Sequence, residues 1–149
     1  MIIEIEKTTT DAVMPNRAHP SDAGLDVFFN PKDRLEVTIQ PGNNSLLPIG
    51  CKFGIPHGYM LQVCNRSSIA AKREVVVGAP VIDAGYDGEV FVDLHNIGRS
   101  AQTIQPGDKI AQLVMVPVVH FRTRTTVGTY EENIAMSRRA AGALGSTGS

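Results

Sequence analysis

Residues 74–94 read EVVVGAPVIDAGYDGEVFVDL, in which two runs rich in β-branched and apolar residues flank a turn rich in glycine. The runs Glu74 to Ile82 and Val90 to Leu94 are typical of β-strands. Gly85 and Gly88 between them predict a hairpin turn that joins the two strands. This stretch therefore indicates a β-rich fold.

Two functional side chains, Asp83 and Tyr86, fall at this predicted turn. There they would lie beside any small ligand that approaches the backbone. The pattern Asp-x-Gly-x-x-Gly is weak by itself, because Asp and Gly also occupy ordinary turns for local hydrogen bonding and for positive φ angles. Both interpretations stay open on this stretch alone.

Short apolar runs separated by Pro and Gly recur along most of the chain. Leu35, Val37 and Ile39 alternate with Glu36 and Thr38, the period-2 pattern of a strand with one wet face. Many short strands with little helix predict an all-β sandwich or barrel. The predicted strands are Ile2 to Ile5, Leu25 to Phe29, Leu35 to Ile39, Leu46 to Ile55, Tyr59 to Val63, Val75 to Val77, Val90 to Leu94 and Ile110 to Val119.

One short helix and one C-terminal arm interrupt this β pattern. Ser67 and Ser68 precede Ile69-Ala70-Ala71-Lys72, where serine can cap the first turn of a helix. From His120 to the C-terminus the chain is polar, then rich in Arg, Ala, Gly and Ser. We therefore expect a β domain over residues 1–127 and a flexible, extended arm over residues 128–149.

Composition limits the class of protein. The 149 residues suit one domain with its own core. The formal net charge of −1 provides no broad basic field for nucleic acid, so any phosphate site must be local. Cys51 and Cys64 lie in apolar runs and are predicted to be reduced core residues, with a disulfide as the alternative. With no signal peptide and no membrane span, we expect a soluble, cytoplasmic protein without a membrane partner.

Polar residues in two other segments indicate phosphate binding. Arg66 and the serines that follow it place a guanidinium and hydroxyls at a helix start, which favours an anion. The alternative is an ordinary serine cap beside an exposed arginine. Gln112 is a lone amide in an apolar run, and it could bind phosphate or hydrogen-bond the backbone inside the core. Asp26 follows Gly24 at a strand entry and could simply cap that turn.

Five blocks, taken together and in order, resemble the homotrimeric dUTP pyrophosphatases (dUTPases) and span nearly the whole chain. A coincidence of five ordered blocks is improbable. The blocks are Ala23-Gly24-Leu25-Asp26, Arg66-Ser67-Ser68-Ile69-Ala70, the Asp83 turn, Gly107-Asp108-Lys109-Ile110-Ala111-Gln112-Leu113-Val114, and Gly145-Ser146-Thr147-Gly148 preceded by Arg139.

The resemblance implies a jelly-roll-like β-barrel or sandwich whose C-terminal arm closes over the active site. It implies hydrolysis of dUTP to dUMP and pyrophosphate by in-line attack of water at the α-phosphorus, with Mg²⁺ held by the triphosphate rather than directly by the protein. It also implies a homotrimer with active sites between subunits. One chain would supply the phosphate blocks, a second the Asp83 turn and a third the arm.

The same resemblance assigns roles to residues. Asp83 is expected to orient the attacking water and accept its proton, and Tyr86 to pack against the deoxyribose where a 2′-hydroxyl would not fit. Asp26 is expected to support the phosphate end through other residues, and backbone groups of residues 78–82 to read the uracil. The nucleotide-binding residues implied are Arg66, Ser67, Ser68, Gly78, Ala79, Val81, Ile82, Tyr86, Gln112, Arg139, Leu144, Gly145, Ser146 and Thr147.

The chain departs from the family pattern at two positions. Many relatives have Gly where this chain has Pro80, and proline has no N–H to offer a base. Most have Phe where this chain has Leu144, which weakens stacking on the base. The alternatives are a nucleotide-binding regulatory module without turnover and a dCTP deaminase of the same fold. The deaminase would need a glutamate where this chain has Asp93 and an arginine where it has Ala71.

Overall fold

The computed structural model describes residues 1–125 and 127–128, and the chain divides into two units, Met1–Val119 and His120–Ser149. The first unit consists of antiparallel strands and one short helix, so the predicted all-β, jelly-roll-like fold is confirmed. Its elements are β1 (Ile5–Lys7), β2 (Leu25–Phe28), β3 (Val37–Ile39), β4 (Asn44–Pro48), β5 (Cys51–Phe53), β6 (Tyr59–Cys64), α1 (Ser67–Arg73), β7 (Val75–Val77), β8 (Val81–Asp83), β9 (Phe91–Asn96), β10 (Gln102–Ile104) and β11 (Lys109–Pro117).

Two larger sheets enclose the core. One has the strand order β2-β11-β6-β8 and the other β4-β9-β7, while β1-β5 and β10-β3 form two-stranded pairs. Alternate side chains on the larger sheets, among them Val27, Leu61, Leu113, Leu47 and Val92, are almost completely buried. Burying such a side chain stabilises the fold by roughly 1.5–3 kcal/mol. The opposite face of the four-stranded sheet carries polar as well as apolar residues.

A bulge in β11 changes which side chains share that outer face. The register along β2 shifts between Lys109 and Ala111, and both Ile110 and Ala111 are buried although they are consecutive. A bulge inserts one residue and so reverses the alternation beyond it. Lys109 and Gln112 therefore lie on the same face, although they are three residues apart.

The predicted hairpin between the two strands around Asp83 is wrong. Strand β8 pairs with β6, whereas β9 pairs with β4 and β7, so the glycine-rich turn crosses from one sheet to the other. Neither Gly85 nor Gly88 is among the glycines with positive φ. The apolar run 74–82 was one segment in the sequence, but the chain divides it at Gly78 between two sheets.

The predicted serine cap of the helix is also wrong. Ser67 is already helical, and Arg66 occupies the N-cap position with an extended backbone and no side-chain cap hydrogen bond. Helix α1 ends at Arg73, and the next residue, Glu74, caps it in the left-handed conformation with φ of 53°. With only seven residues, the helix depends on packing of its buried Ile69 rather than on propensity.

Several strand bounds differ from the predictions. The first strand begins at Ile5, the predicted run Leu46 to Ile55 is two strands, and β10 was not predicted. Strand β10 has only three residues, and it is held by pairing with β3 rather than by its own pattern. Both cysteines are free, as predicted.

Within the second unit, the structure describes residues 120–125, 127 and 128, which are exposed and have no regular secondary structure. The boundary predicted at residues 127/128 stays a prediction. Arg139, Leu144, Gly145, Ser146 and Thr147 lie outside the described residues. Over the part of the chain that is described, no helix is long and apolar enough to span a membrane.

Candidate active site

A buried carboxylate organises one end of the four-stranded sheet. Asp26 on β2 is 8% exposed, and its Oδ1 accepts a hydrogen bond from Nε of Arg66 at 2.9 Å. Its Oδ2 accepts a hydrogen bond from Nζ of Lys109, also at 2.9 Å. These three residues, called the Asp26 clamp below, hold two cations side by side at the surface. Because both carboxylate oxygens are paired, Asp26 itself is a poor metal ligand and positions its neighbours instead.

Lys109 is a site residue that the sequence argument missed. Regular alternation along β11 would place it on the face opposite to Gln112, so the sequence pattern gives no sign that the two side chains are neighbours. The bulge in β11 brings both to one face, where Lys109 also lies over the ring of Phe28 at 5.8 Å from the centroid. In the sequence, this bulge is indicated only by the two consecutive apolar residues between them, Ile110 and Ala111.

Gln112 lies on β11, beside the Asp26 clamp. In register it stands opposite Asp26 on one side and Cys64 on the other. Its Nε2 donates to the backbone carbonyl of Asn65 at 2.9 Å, and a Cβ at Gly24 would lie 2.7 Å from its Oε1. Gly24 therefore leaves space that the Gln112 amide fills. The backbone contact expected of a structural glutamine is present, and phosphate binding by this residue stays a prediction.

Ser67 and Ser68 continue the chain from Arg66 at the start of α1, and both are exposed. Their hydroxyls do not cap the helix, so they are free of that role. The structure thus places Arg66, both serines, Gln112 and Asp26 at one end of the sheet.

The Asp83 turn, residues 83–89, lies at the other end of β8. The carboxylate of Asp83 is exposed and forms no ion pair or side-chain hydrogen bond with any of the described residues. Tyr86 is 44% exposed, and its N–H donates to the carbonyl of Asp83 at 3.1 Å. A cavity of about 210 Å³ is formed here, lined by Ala79, Val81, Ile82, Asp83, Tyr86, Val90 and Phe91.

Strand β8 lies at the edge of its sheet, and its hydrogen-bond pattern decides which backbone groups face outward. The N–H of Val63 on β6 donates to the carbonyl of Pro80 at 2.7 Å. Because bonded and non-bonded pairs alternate in an antiparallel ladder, the next pair, Gln62 opposite Val81, is non-bonded. The N–H and C=O of Val81 therefore face the edge as a neighbouring donor and acceptor.

The same pattern explains why a proline fits at position 80. The N–H that Pro80 lacks would face Val63 on β6 rather than the edge of the sheet. Its carbonyl is already used in that direction. Proline here removes no donor from the edge, so this departure from the family pattern leaves the Val81 groups in place.

Gly78 precedes this edge and packs against a hydrogen-bonded pair of side chains. Nε2 of His95 and Oδ2 of Asp93 are 2.8 Å apart, and a Cβ at Gly78 would collide with both side chains. Burial alone would raise the pKa of Asp93, but hydrogen bonds from Asn44 and His95 and the charge of His95 outweigh it and lower the pKa below its usual value. Asp93 is thus held as an ionised acceptor.

The two groups of predicted residues share a face of the sheet but not a single site. On one side of β6, Asp83 of β8 stands opposite Met60. On the other side of β6, Gln112 of β11 stands opposite Cys64. Four residues along the strand and two strand spacings separate Asp83 from Gln112 by about 16 Å. One chain therefore brings the predicted phosphate-binding residues together and the turn residues together, but does not bring the two sets into contact.

Comparisons with known proteins identify the family of the chain. The dUTPase family model matches residues 10–148. A deoxyuridine 5'-triphosphate nucleotidohydrolase of Gloeobacter violaceus is 38% identical over 148 residues, which cover 98% of this chain and 96% of the relative. One from Desulfotalea psychrophila is 48% identical over 115 residues, covering 76% and 73%. The fold matches that of a Staphylococcus bacteriophage 80alpha dUTPase solved with dUpNHpp, with a TM-score of 0.85, 23% identity and 99% of each chain covered. The chain belongs to the dUTPase family.

Proposed function

We propose that the chain hydrolyses dUTP to dUMP and pyrophosphate by in-line attack of water at the α-phosphorus. The observation that carries the proposal is the exposed Asp83 carboxylate, which shares a cavity with Tyr86 beside the backbone groups of an edge strand. Asp83 orients the water and takes its proton as the new P–O bond forms. The bond to the bridging oxygen breaks and its electrons leave with the pyrophosphate. The main contribution of Asp83 is to hold the water in line with the α-phosphorus.

The edge of β8 supports recognition of the base. Uracil presents an N–H donor flanked by carbonyl acceptors, and the outward C=O and N–H of Val81 form the complementary pair. Ala79 and Ile82 line the same cavity and shape the space around the base. Tyr86 presents its ring where the sugar would follow the base, so close packing against the ring excludes a 2′-hydroxyl.

The Asp26 clamp supports binding of the triphosphate. Asp26 holds Arg66 by Nε, which directs the rest of the planar guanidinium fork outward, a shape that matches phosphate oxygens. Lys109 adds a second positive charge beside it. Exposed Ser67 and Ser68 supply hydroxyls, and the arm residues of the family pattern complete the set. These donors neutralise charge that develops on the leaving pyrophosphate.

Magnesium suits this site as a partner of the substrate rather than of the protein. Among the described residues, no group of three or more His, Cys, Asp or Glu is placed to hold a metal ion, and both oxygens of Asp26 are paired with cations. Mg²⁺ prefers phosphate and water oxygens to an all-protein cage. When bound to the triphosphate it would reduce the negative charge that the attacking water meets.

The active enzyme in this proposal is a homotrimer. A single chain keeps Asp83 about 16 Å from the phosphate residues, which is longer than a side chain can bridge. Apolar side chains near the turn are exposed, with Val81 at 54%, Phe91 at 45% and Leu46 at 63%. A second copy that covers them would bring its own Asp26 clamp to the Asp83 turn. The free cysteines are in keeping with a cytoplasmic location.

The deaminase alternative meets an obstacle at Asp93. That residue would have to serve as the base, but it is tied to Asn44 and His95 and its pKa is lowered. A carboxylate in this state is a weak proton acceptor. A regulatory module without turnover would not need an unpaired carboxylate at Asp83.

Release of pyrophosphate and ammonia from dUTP, dCTP, dTTP and UTP tests the proposal. We expect pyrophosphate from dUTP, much less from the other three nucleotides, and no ammonia from dCTP. Ammonia from dCTP would indicate the deaminase, and no product from any nucleotide would indicate the regulatory module.

A further inference from the structure

The ring of Tyr86 is fixed on two sides by the turn that carries it. Its phenol O–H donates to the backbone carbonyl of Glu89 at 2.6 Å. The ring lies against Gly88, where an added Cβ would be 2.7 Å from the phenol oxygen. The position of Tyr86 is therefore set by the position of the Glu89 backbone.

Glu89 is in turn anchored to another part of the domain. Its Oε1 accepts a hydrogen bond from Oγ1 of Thr8 at 3.2 Å and one from the N–H of Gly50 at 3.1 Å. The N–H of Thr8 donates to the carbonyl of Gly50 at 2.8 Å, so the two donors are themselves linked. Gly50 adopts a φ of +70°, and a Cβ there would lie 2.8 Å from that of Ala12. The anchor thus consists of backbone and side chain that have little room to move.

Asp87, two residues before Glu89, provides a comparison within the same turn. It is exposed and lines a separate acidic groove with Glu4 and Glu6. Glu89 is also acidic, but it is half-buried. Its carboxylate, unlike that of Asp87, accepts the hydrogen bonds from Thr8 and Gly50. The hydrolytic mechanism proposed above uses neither of these carboxylates.

We propose that Glu89 is a positioning residue for Tyr86 and thereby sets the discrimination between deoxyribo- and ribonucleotides. The inference rests on the proposed function, in which Tyr86 packs against the sugar. A ring that can retreat from the sugar admits a 2′-hydroxyl, whereas a ring held at a fixed distance excludes it. The chain of contacts from Thr8 and Gly50 through Glu89 to the phenol keeps that distance constant.

The test compares kcat/KM for dUTP and UTP in the full-length wild type and four variants. Glu89→Ala should lower the dUTP-to-UTP ratio by about 10- to 100-fold, since displacement of about an ångström has effects of that size. Glu89→Gln keeps an acceptor oxygen at the same place and should restore most of the ratio. Thr8→Val removes one donor at nearly constant shape and should lower the ratio less. Asp87→Ala, the matched control, should leave the ratio at the wild-type value.

Thermal unfolding of each variant separates positioning from stability. A lower Tm in Glu89→Ala with an unchanged dUTP-to-UTP ratio would overturn the inference while leaving the proposed function intact. A wild type that hydrolyses UTP as well as dUTP would overturn both. Should Glu89→Ala fail to fold, Thr8→Val decides: a wild-type ratio in that variant contradicts the link from Thr8 to Tyr86.

Discussion

In the Asp26 clamp both carboxylate oxygens pair with cations at 2.9 Å, whereas the Asp83 carboxylate on the same sheet face is exposed and pairs with none of the described residues. The clamp consists of one residue from each of two strands and of Arg66 at the N-cap of α1, so one chain assembles it completely. The turn holds its aromatic residue firmly but leaves its acid open. In the proposed function, this means that the binding groups are assembled within one chain, whereas the chemical step needs a second copy.

This difference has a physical reason. A clamp for phosphate needs cations held in fixed places before the ligand arrives, and a buried carboxylate holds them at modest cost because each oxygen gains a charged hydrogen bond. A carboxylate that orients water must instead stay unpaired, since an ion pair would occupy the lone pairs it uses. Leaving Asp83 at an exposed turn satisfies that requirement.

The largest expected effect is at the turn. Asp83→Asn should lower kcat by about 10²–10⁴-fold, the usual contribution of a positioned base. The affinity for dUpNHpp, measured by calorimetry, should stay close to that of the wild type, because the clamp is untouched. Turnover near the wild-type value would show that Asp83 is not the base.

At the clamp we expect a smaller effect, which falls on stability and KM more than on kcat. Asp26→Asn replaces an acceptor with a donor and leaves Lys109 or Arg66 without a counter-charge, which should lower stability by about 1.5–3 kcal/mol. The KM for dUTP should rise more than kcat falls. Asp22→Asn, at an exposed side-chain contact with His19, is the control and should change stability by less than about 1 kcal/mol. An unchanged KM in Asp26→Asn would reduce the clamp to a structural role.

The smallest effect is expected beside Gln112. In Gly24→Ala the new methyl group would lie 2.7 Å from Oε1 and 3.1 Å from Cβ of Gln112, so the amide must shift at a cost of about 1 kcal/mol. We expect a rise of KM by a few fold with kcat unchanged. Gly54→Ala, where the nearest atom would be 3.7 Å away, is the matched control for the loss of glycine. Equal behaviour of the two variants would mean that Gln112 does not contact substrate.

Much of the fold could be predicted from the sequence, because period-2 alternation and Pro or Gly punctuation mark individual strands. Alternation of apolar and polar residues does not show which strands pair with each other. The run 74–82 read as one strand of a hairpin, but its halves bond to β9 and β6 in different sheets. The pairing depends on contacts between distant residues, which no local pattern encodes.

The site could also be predicted only in part. The residue types around Arg66 indicated an anion site, whereas the role expected of Asp83 came from the resemblance to the dUTPases. Lys109 was missed because the bulge that turns it toward Asp26 leaves only a pair of adjacent apolar residues in the sequence. The serine cap was wrong because Arg66 holds the N-cap position while its side chain reaches back to Asp26.

Co-expression of two inactive variants, Arg66→Ala and Asp83→Asn, tests the central claim that clamp and turn come from different copies of the chain. Each variant alone should be nearly inactive. With equal expression and random assembly, about a quarter of all sites would combine an intact Arg66 from one chain with an intact Asp83 from another, so about a quarter of wild-type activity should return. A mixture no more active than its separate components would contradict the account.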